Sequence, residues 1–292
     1  MWDVNRPGHQ GLDCRCQITK LVAMTSVRTA RARIPRRKRL GLVLSGGGSR
    51  GVAHIGVIRA LLEAGIEPDP VAGASAGAIV GALYAAGHSP AAMLDFFRGL
   101  DPLPFNGFAL GKPGLLDPMT FAPYFRRYFR GDSFARLQRK LFIVATDLIR
   151  GEPVVFTRGR LIRPLLASSA VPMVYSPIQI GGRWYGDGGI VDNLPVRLLE
   201  GQCDITIGVY ASPIRRVRRR ELSNSFSVLD RALEVGILVH SRASFARCDL
   251  VIQPRALTRY GMFDTEHLPA IEAVGYRAAR DQMPRIRQLL RR

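Results

Sequence analysis

An apolar run that stops at a cluster of glycines and resumes with helical spacing occurs twice in close succession, and few architectures besides a layered α/β sheet accommodate the pair. Residues 40–45, Leu-Gly-Leu-Val-Leu-Ser, end at Gly46, Gly47 and Gly48, after which Val52, Ile55, Val57, Ile58, Leu61 and Leu62 recur at helical spacing as far as Gly65. A continuous apolar run fits a strand buried on both faces of a parallel sheet, and the period after it fits a helix packed on that sheet. Gly65 stands where a left-handed C-cap would end the helix. The second unit starts at Pro70, Val71, Ala72 and Gly73, bends at Ser75, and continues as a helix over 76–86 that stops at Gly87. Its uncharged stretch, 71–87, is shorter than the roughly 20 apolar residues of a membrane span and is interrupted by glycines, so it reads as buried strand and helix.

Further along, 141–145, 154–156 and 204–210 predict strands, and 225–245 and 268–290 predict helices. Alternating strands and helices predict an α/β fold with helices on both faces of a mostly parallel sheet, and no internal repeat is present. Residues 88–138 break the alternation with helical patches at 91–97 and 118–130 joined by Pro- and Gly-rich loops, an insertion over the sheet. The 292-residue length predicts one globular domain over 39–292, its motif-bearing part at about 40–200 and its C-terminal helices running to 292.

Residues 1–38 mix Pro, Gly, Arg and polar residues without an apolar period and read as a disordered basic extension, with Met24 an alternative start to Met1. The first 40 residues carry +8 of the chain's formal net charge of +19. Such charge draws nucleic acid, anionic lipid or acidic protein alike. Arg215, Arg216, Arg218, Arg219 and Arg220 form a second basic run, but no base-reading motif accompanies either, so nucleic acid is not the expected partner. Cys14, Cys16, Cys203 and Cys248 lack metal-ligand spacing and suit a reducing compartment, and no secretory signal is visible; a cytoplasmic location is expected. No residue pattern calls for a metal or a cofactor.

Gly73-Ala74-Ser75-Ala76-Gly77 has the G-x-S-x-G form of a nucleophile elbow, in which small neighbours let a strand turn sharply into a helix with the serine at the apex. Its position between a predicted strand and helix gives the match weight, since the helix N-terminus favours negative charge there. Gly46-Gly47-Gly48-Ser49-Arg50-Gly51 follows the first strand and opens the first helix, with backbone N–H groups free to face an anion. A dinucleotide-binding loop shares this spacing, but its acidic partner would end the second strand, whereas Glu67 and Asp69 precede it; an oxyanion hole is the favoured reading. A serine nucleophile needs a base. The order Ser75, Asp187, His267 is that of an α/β-hydrolase triad, but only one strand precedes this elbow, too few for that sheet. Asp187, in Tyr185-Gly186-Asp187-Gly188-Gly189, is the better candidate, provided that a water-poor site raises its basicity.

The three motifs GGGSRG, GASAG and DGG, in this order and on these elements, resemble the patatin-like phospholipase family. The likeness extends to Leu166-Ala-Ser-Ser-Ala-Val-Pro172, to Thr146-Asp147 and to the segment from Phe263 to Gly275-Tyr276, covering about residues 40–280. It implies a three-layer α/β/α fold, a Ser-Asp dyad and hydrolysis of ester-linked acyl chains from phospholipids or related lipids. Carried over, Ser75 attacks the carbonyl, Asp187 accepts its proton, the 46–51 loop holds the oxyanion, and Arg50 steadies that loop or meets a phosphate. Of the large apolar residues of 96–129, among them Phe96, Phe97, Phe105, Phe108, Phe121, Phe125 and Phe129, most are expected in the core and some along an acyl-chain tunnel or in a bilayer. Arg126, Arg127 and Arg130 would then meet lipid phosphates at the inner membrane surface. A soluble esterase or thioesterase using the same pair is the nearer alternative.

Overall fold

The computed structural model describes residues 38–101, 107–109, 111 and 113–291; apart from Lys38, the basic extension, the choice of start codon and Phe105 lie outside the described residues. The strands are β1 (Leu40–Leu44), β2 (Val71–Ala74), β3 (Leu141–Asp147), β4 (Glu152–Phe156), β5 (Ile178–Ile180), β6 (Arg183–Gly186), β7 (Ile205–Val209) and β8 (Leu250–Ile252). Among the described residues these eight form one sheet of order β5-β6-β3-β2-β1-β7-β8, with β4 also on β3. Pairings from β3 through β2, β1 and β7 to β8 are parallel; those of β4, β5 and β6 are antiparallel. The helices are α1 (Ala53–Glu63), α2 (Ala76–Ala85), α3 (Pro90–Arg98), α4 (Ala122–Tyr128), α5 (Ile162–Ser168), α6 (Gly189–Asp192), α7 (Ser225–Phe245) and α8 (Leu268–Arg291). The chain is thus a mixed α/β fold around a mostly parallel sheet, and among the described residues no helix is long and apolar enough to cross a membrane.

Strand alternation divides the interior in two. Leu40, Leu42 and Leu44 of β1 enter a large core with Ile55 and Leu61 of α1 and Ile271 and Val274 of α8. Val43 points the other way, into a smaller core with Ala72, Phe142, Leu194, Val196 and Leu199. Because both faces are covered, β1, β2 and β3 are buried throughout and read in sequence as unbroken apolar or small-residue runs. β4 differs from that pattern: it is a partly exposed antiparallel partner of β3, joined by a turn whose Ile149 and Arg150 amides donate to buried Asp147.

In the 88–138 insertion, Phe96, Phe97, Phe125 and Phe129 are buried and stack edge-to-face or tilted, with Phe96 at 5.1 Å from Phe125. Full burial of such a ring is worth about 1.5–3 kcal/mol, which ties α3 and α4 to the body. Phe108 and Leu115 are exposed instead.

One consequence of the topology places the site. β2 runs parallel to β3 and ends with Ala74 opposite Val144; β6 runs antiparallel to β3 and ends with Gly186 opposite Thr146. β4 occupies the other edge of β3 along residues 143–147, so β2 and β6 share one edge and run head-on. One further step along either register leads to Ala145, and the residues that take that step are Ser75 and Asp187.

Candidate active site

Ser75 is the bend between β2 and α2, with φ 53 and ψ −129. A residue with a Cβ pays about 1–3 kcal/mol to sit there, and such strain persists only where neighbours enforce it. Here the Ser75 amide donates to Ser168 Oγ at 2.9 Å, and the Ser168 hydroxyl donates in turn to the Val144 carbonyl at 2.5 Å. A Cβ on Gly77 would stand 2.5 Å from the Ser45 carbonyl, so the elbow glycine is required for α2 to cross β1 so closely.

The Ser75 hydroxyl donates to Asp187 Oδ2 at 2.6 Å, and both residues are buried. Asp187 is held on every side. Its amide donates to Ala170 O, its carbonyl accepts from Thr146 Oγ1 at 2.6 Å, and its Oδ1 accepts from the Gly189 amide at 2.7 Å. Gly188 passes so close to the Val144 carbonyl that any side chain would collide with it. Burial pushes the Asp187 carboxyl up to about 6, against the opposing pull of the Ser75 hydroxyl and the Gly189 amide. A carboxylate with that value is a far better proton acceptor near neutrality than one in water.

The 46–51 loop divides its amides. Gly46 N donates to Asn193 Oδ1 at 2.9 Å and Ser49 N to Met262 O at 2.7 Å, so neither is free. Among the described residues the Gly47 and Gly48 amides meet no protein acceptor, which narrows the six-residue expectation to two donors. Gly48 has φ 58, and a Cβ there would strike Met262. Arg50 is buried, with Nε 3.4 Å from Gly47 O and a terminal nitrogen 3.4 Å from Glu234 Oε1; it braces the loop rather than facing open solvent. Gly51 packs on Ala76, and Gly73 on the first turn of α2.

Ser75 stands where two cavities meet. The larger, about 790 Å³ including its open mouth, is lined chiefly by apolar side chains: Ile79, Phe97, Leu100, Phe121, Phe125, Leu166 and Leu268. A second, of about 560 Å³, lies under α7 and is bordered by Gly47, Asp187, Asn193, Asp230, Leu233 and Ile237. No histidine lines either cavity among the described residues. His54 is buried against the Ser45 carbonyl at 2.8 Å, and desolvation lowers it to about 4 and keeps it neutral. His267 is exposed and contacts Asp264.

A family model for patatin-like phospholipases matches residues 42–200. The chain belongs to that family. Two uncharacterized NTE family proteins of Mycobacterium tuberculosis are 37% and 35% identical to this patatin-like chain over 180 and 174 residues, covering 59% and 56% of it and 48% and 29% of the relatives. Lysophospholipase nte1 of Aspergillus fumigatus is 32% identical over 215 residues, 66% of this chain and 13% of its own length. The chain therefore spans less than half the length of these curated relatives. Among solved structures, VipD from Legionella pneumophila aligns with a TM-score of 0.47 and 17% identity over 88% of this chain and 67% of VipD.

Asn193, Ser168, Glu234 and Met262 join the site without a catalytic motif of their own in the sequence. Ser168 lies inside the 166–172 segment that carries the family resemblance, and Asn193 follows the Asp-Gly-Gly motif closely; these spacings were the available signals.

Proposed function

We propose that this patatin-like chain is a lipid acyl hydrolase that cleaves carboxylic esters of phospholipids or lysophospholipids through Ser75 and Asp187. The observation that carries the reading is the 2.6 Å hydrogen bond between a strained, buried serine and a carboxylate raised to about 6, at the mouth of an apolar cleft. In this mechanism Ser75 Oγ adds to the ester carbonyl as its proton passes to Asp187 Oδ2. The resulting oxyanion lies against the Gly47 and Gly48 amides, each donor of this kind being worth about 3–4 kcal/mol. Collapse breaks the bond to the alcohol, which leaves with the proton held by Asp187. Water then gives a proton to Asp187 and adds to the acyl-enzyme, and a second collapse releases the fatty acid and restores Ser75.

Support for a lipid rather than a small soluble ester comes from the cleft: its aromatic and aliphatic walls suit a long acyl chain, which would also expel water around Asp187. The relative named as a lysophospholipase points the same way. Fatty acid release from mixed phospholipids and lysophospholipids, measured beside hydrolysis of a short-chain nitrophenyl ester and an acyl thioester, tests the reading. Release from the lipids that disappears in Ser75→Ala is expected; turnover confined to soluble esters or thioesters would replace the lipid assignment with that of a soluble-substrate hydrolase.

A further inference from the structure

α7 carries apolar side chains on two opposite sides. Leu233 and Ile237 face the cavity beside Ser75, and Phe245 packs its ring 5.0 Å from that of buried Tyr210. On the other side Val228, Ala232, Val235 and Val239 are exposed, the valines at 50%, 41% and 57%. Steps of four, three and four residues put these side chains on one line along the helix, about 17 Å long at the usual rise. Leu229, also exposed, widens the stripe. A solvated helix has no reason to present such a line, and a contiguous apolar patch on a water-facing surface marks a place of contact.

Charge identifies the contact. Arg216, Arg218, Arg219 and Arg220 lead into the helix, are exposed, and enter no salt bridge among the described residues, whereas neighbouring Arg215 is paired with Glu221. Arg242 and Arg247 lie exposed at the other end of the helix, the latter paired with Glu200. Pairing of α7 with a second copy would set arginines against arginines in either orientation, which disfavours a dimer on this face. A second exposed apolar group borders the same site: Phe108, Leu115 and Met173 are brought together by a bridge between Phe108 and Leu116 and by the Leu115 amide donating to Met173 O. Val171, two residues before Met173, lines both cavities at Ser75.

We propose that the outer face of α7, with the arginine run that precedes it, docks on an anionic lipid surface. The valines sink among the acyl chains while the guanidinium groups meet lipid phosphates, the combination by which amphipathic helices lie in a membrane interface. The inner face of the same helix roofs the cavity beside Ser75, so docking sets the site against the surface. The inference rests on exposed chemistry and not on turnover, and it is therefore tested in protein that cannot turn over.

The full chain carrying Ser75→Ala is floated with vesicles of phosphatidylglycerol mixed with phosphatidylcholine and with vesicles of phosphatidylcholine alone. Binding that requires the anionic lipid is expected. It should weaken roughly tenfold or more when Val228, Val235 and Val239 are changed to Glu, and roughly fivefold for each of Arg216, Arg218, Arg219 and Arg220 changed to Gln. With Ser75 intact, the valine variant should keep hydrolysis of a dissolved short-chain ester and its helical circular dichroism while losing turnover on vesicles. Binding unchanged by the valine variant, binding indifferent to anionic lipid, or a dimer in sedimentation that Val235→Glu dissolves would each overturn the inference. If lipid binding behaves as expected but neither ester is cleaved, docking stands and the hydrolase reading fails.

Discussion

Ser75 lies between two walls of opposite construction. One is made by β2, β6 and the 46–48 loop: small residues, buried backbone and hydrogen bonds that leave Ser75 and Asp187 a single position each. The other is α7, which packs mainly on α6 and is pinned at Arg50–Glu234 and at Tyr210–Phe245. Backbone geometry specifies the first wall and side-chain composition the second, so chemistry and access to it should respond to different mutations. Changes to the first wall should act on the chemical step with any substrate, and changes to the outer side of the second only on substrates presented at a surface.

The largest effect expected is at the pair itself. Ser75→Ala should lower kcat/KM by about 10⁴-fold or more and Asp187→Asn by nearly as much, since residues that act as a unit fail together; activity against a nitrophenyl ester measures both. The two variants should part in stability. The folded value of Asp187, about 6, exceeds the value near 3.8 of an unperturbed carboxyl, so the folded state binds the extra proton between those limits. Stability from this group is present below about pH 4 and lost as the pH rises through 6. Asp187→Asn, which has no such charge to bury, should therefore be more stable than wild type at pH 7, by up to about 3 kcal/mol, and melt higher, with the difference vanishing below about pH 4. Equal melting temperatures at neutral pH would contradict a carboxylate held at a desolvation cost.

Next comes Gly48→Ala, which places a Cβ on a backbone of φ 58 and against Met262. Displacing one of the two proposed oxyanion donors should cost about 10²–10³ in kcat with KM little changed, whereas retention of full kcat would remove the loop from the mechanism. With Asp187 as the proposed base, which must be ionised to accept a proton, wild-type kcat/KM should fall about tenfold for each pH unit below 6; a profile flat to pH 4.5 would point to another base. Smallest on this wall is Arg50→Met, which frees the loop from Glu234. About tenfold lower activity and a loss of about 1–2 kcal/mol in urea unfolding are expected, because the pair is only partly shielded from water.

Legibility in the sequence follows the same division. β1, β2, β3 and β7 are readable because strands covered on both faces are written as unbroken apolar runs, and α7 and α8 because their periods are long. β5, β6 and β8 are not: three or four residues such as Arg183-Trp-Tyr-Gly186 hold too few alternations to form a pattern. α5 is interrupted by Pro164, which breaks the periodic reading although the structure accepts it in the first turn. In the site, Ser75, Asp187 and the two loop glycines stand out because tight backbone approach demands glycine around them. Ser168, Asn193 and Glu234 contribute through contacts to residues far away in the chain, and no local pattern records that. The fate of the insertion's aromatics was legible only in bulk: Phe97 and Phe125 serve core and cleft at once, and Phe108 serves neither.

Since β2 and β6 approach each other along one edge of β3, the spacing of hydroxyl and carboxylate is gauged by the single intervening position, Ala145. The 88–138 segment is then free to lengthen, shorten or change composition without altering that gauge, whereas 157–177 carries Ser168 and Ala170, which hold the Ser75 and Asp187 amides. A one-residue insertion within β3 would do the reverse, leaving every loop intact while moving the two groups out of register. Variation among relatives should accordingly accumulate in the 88–138 segment as a means of changing what enters, with β3 held to a fixed count.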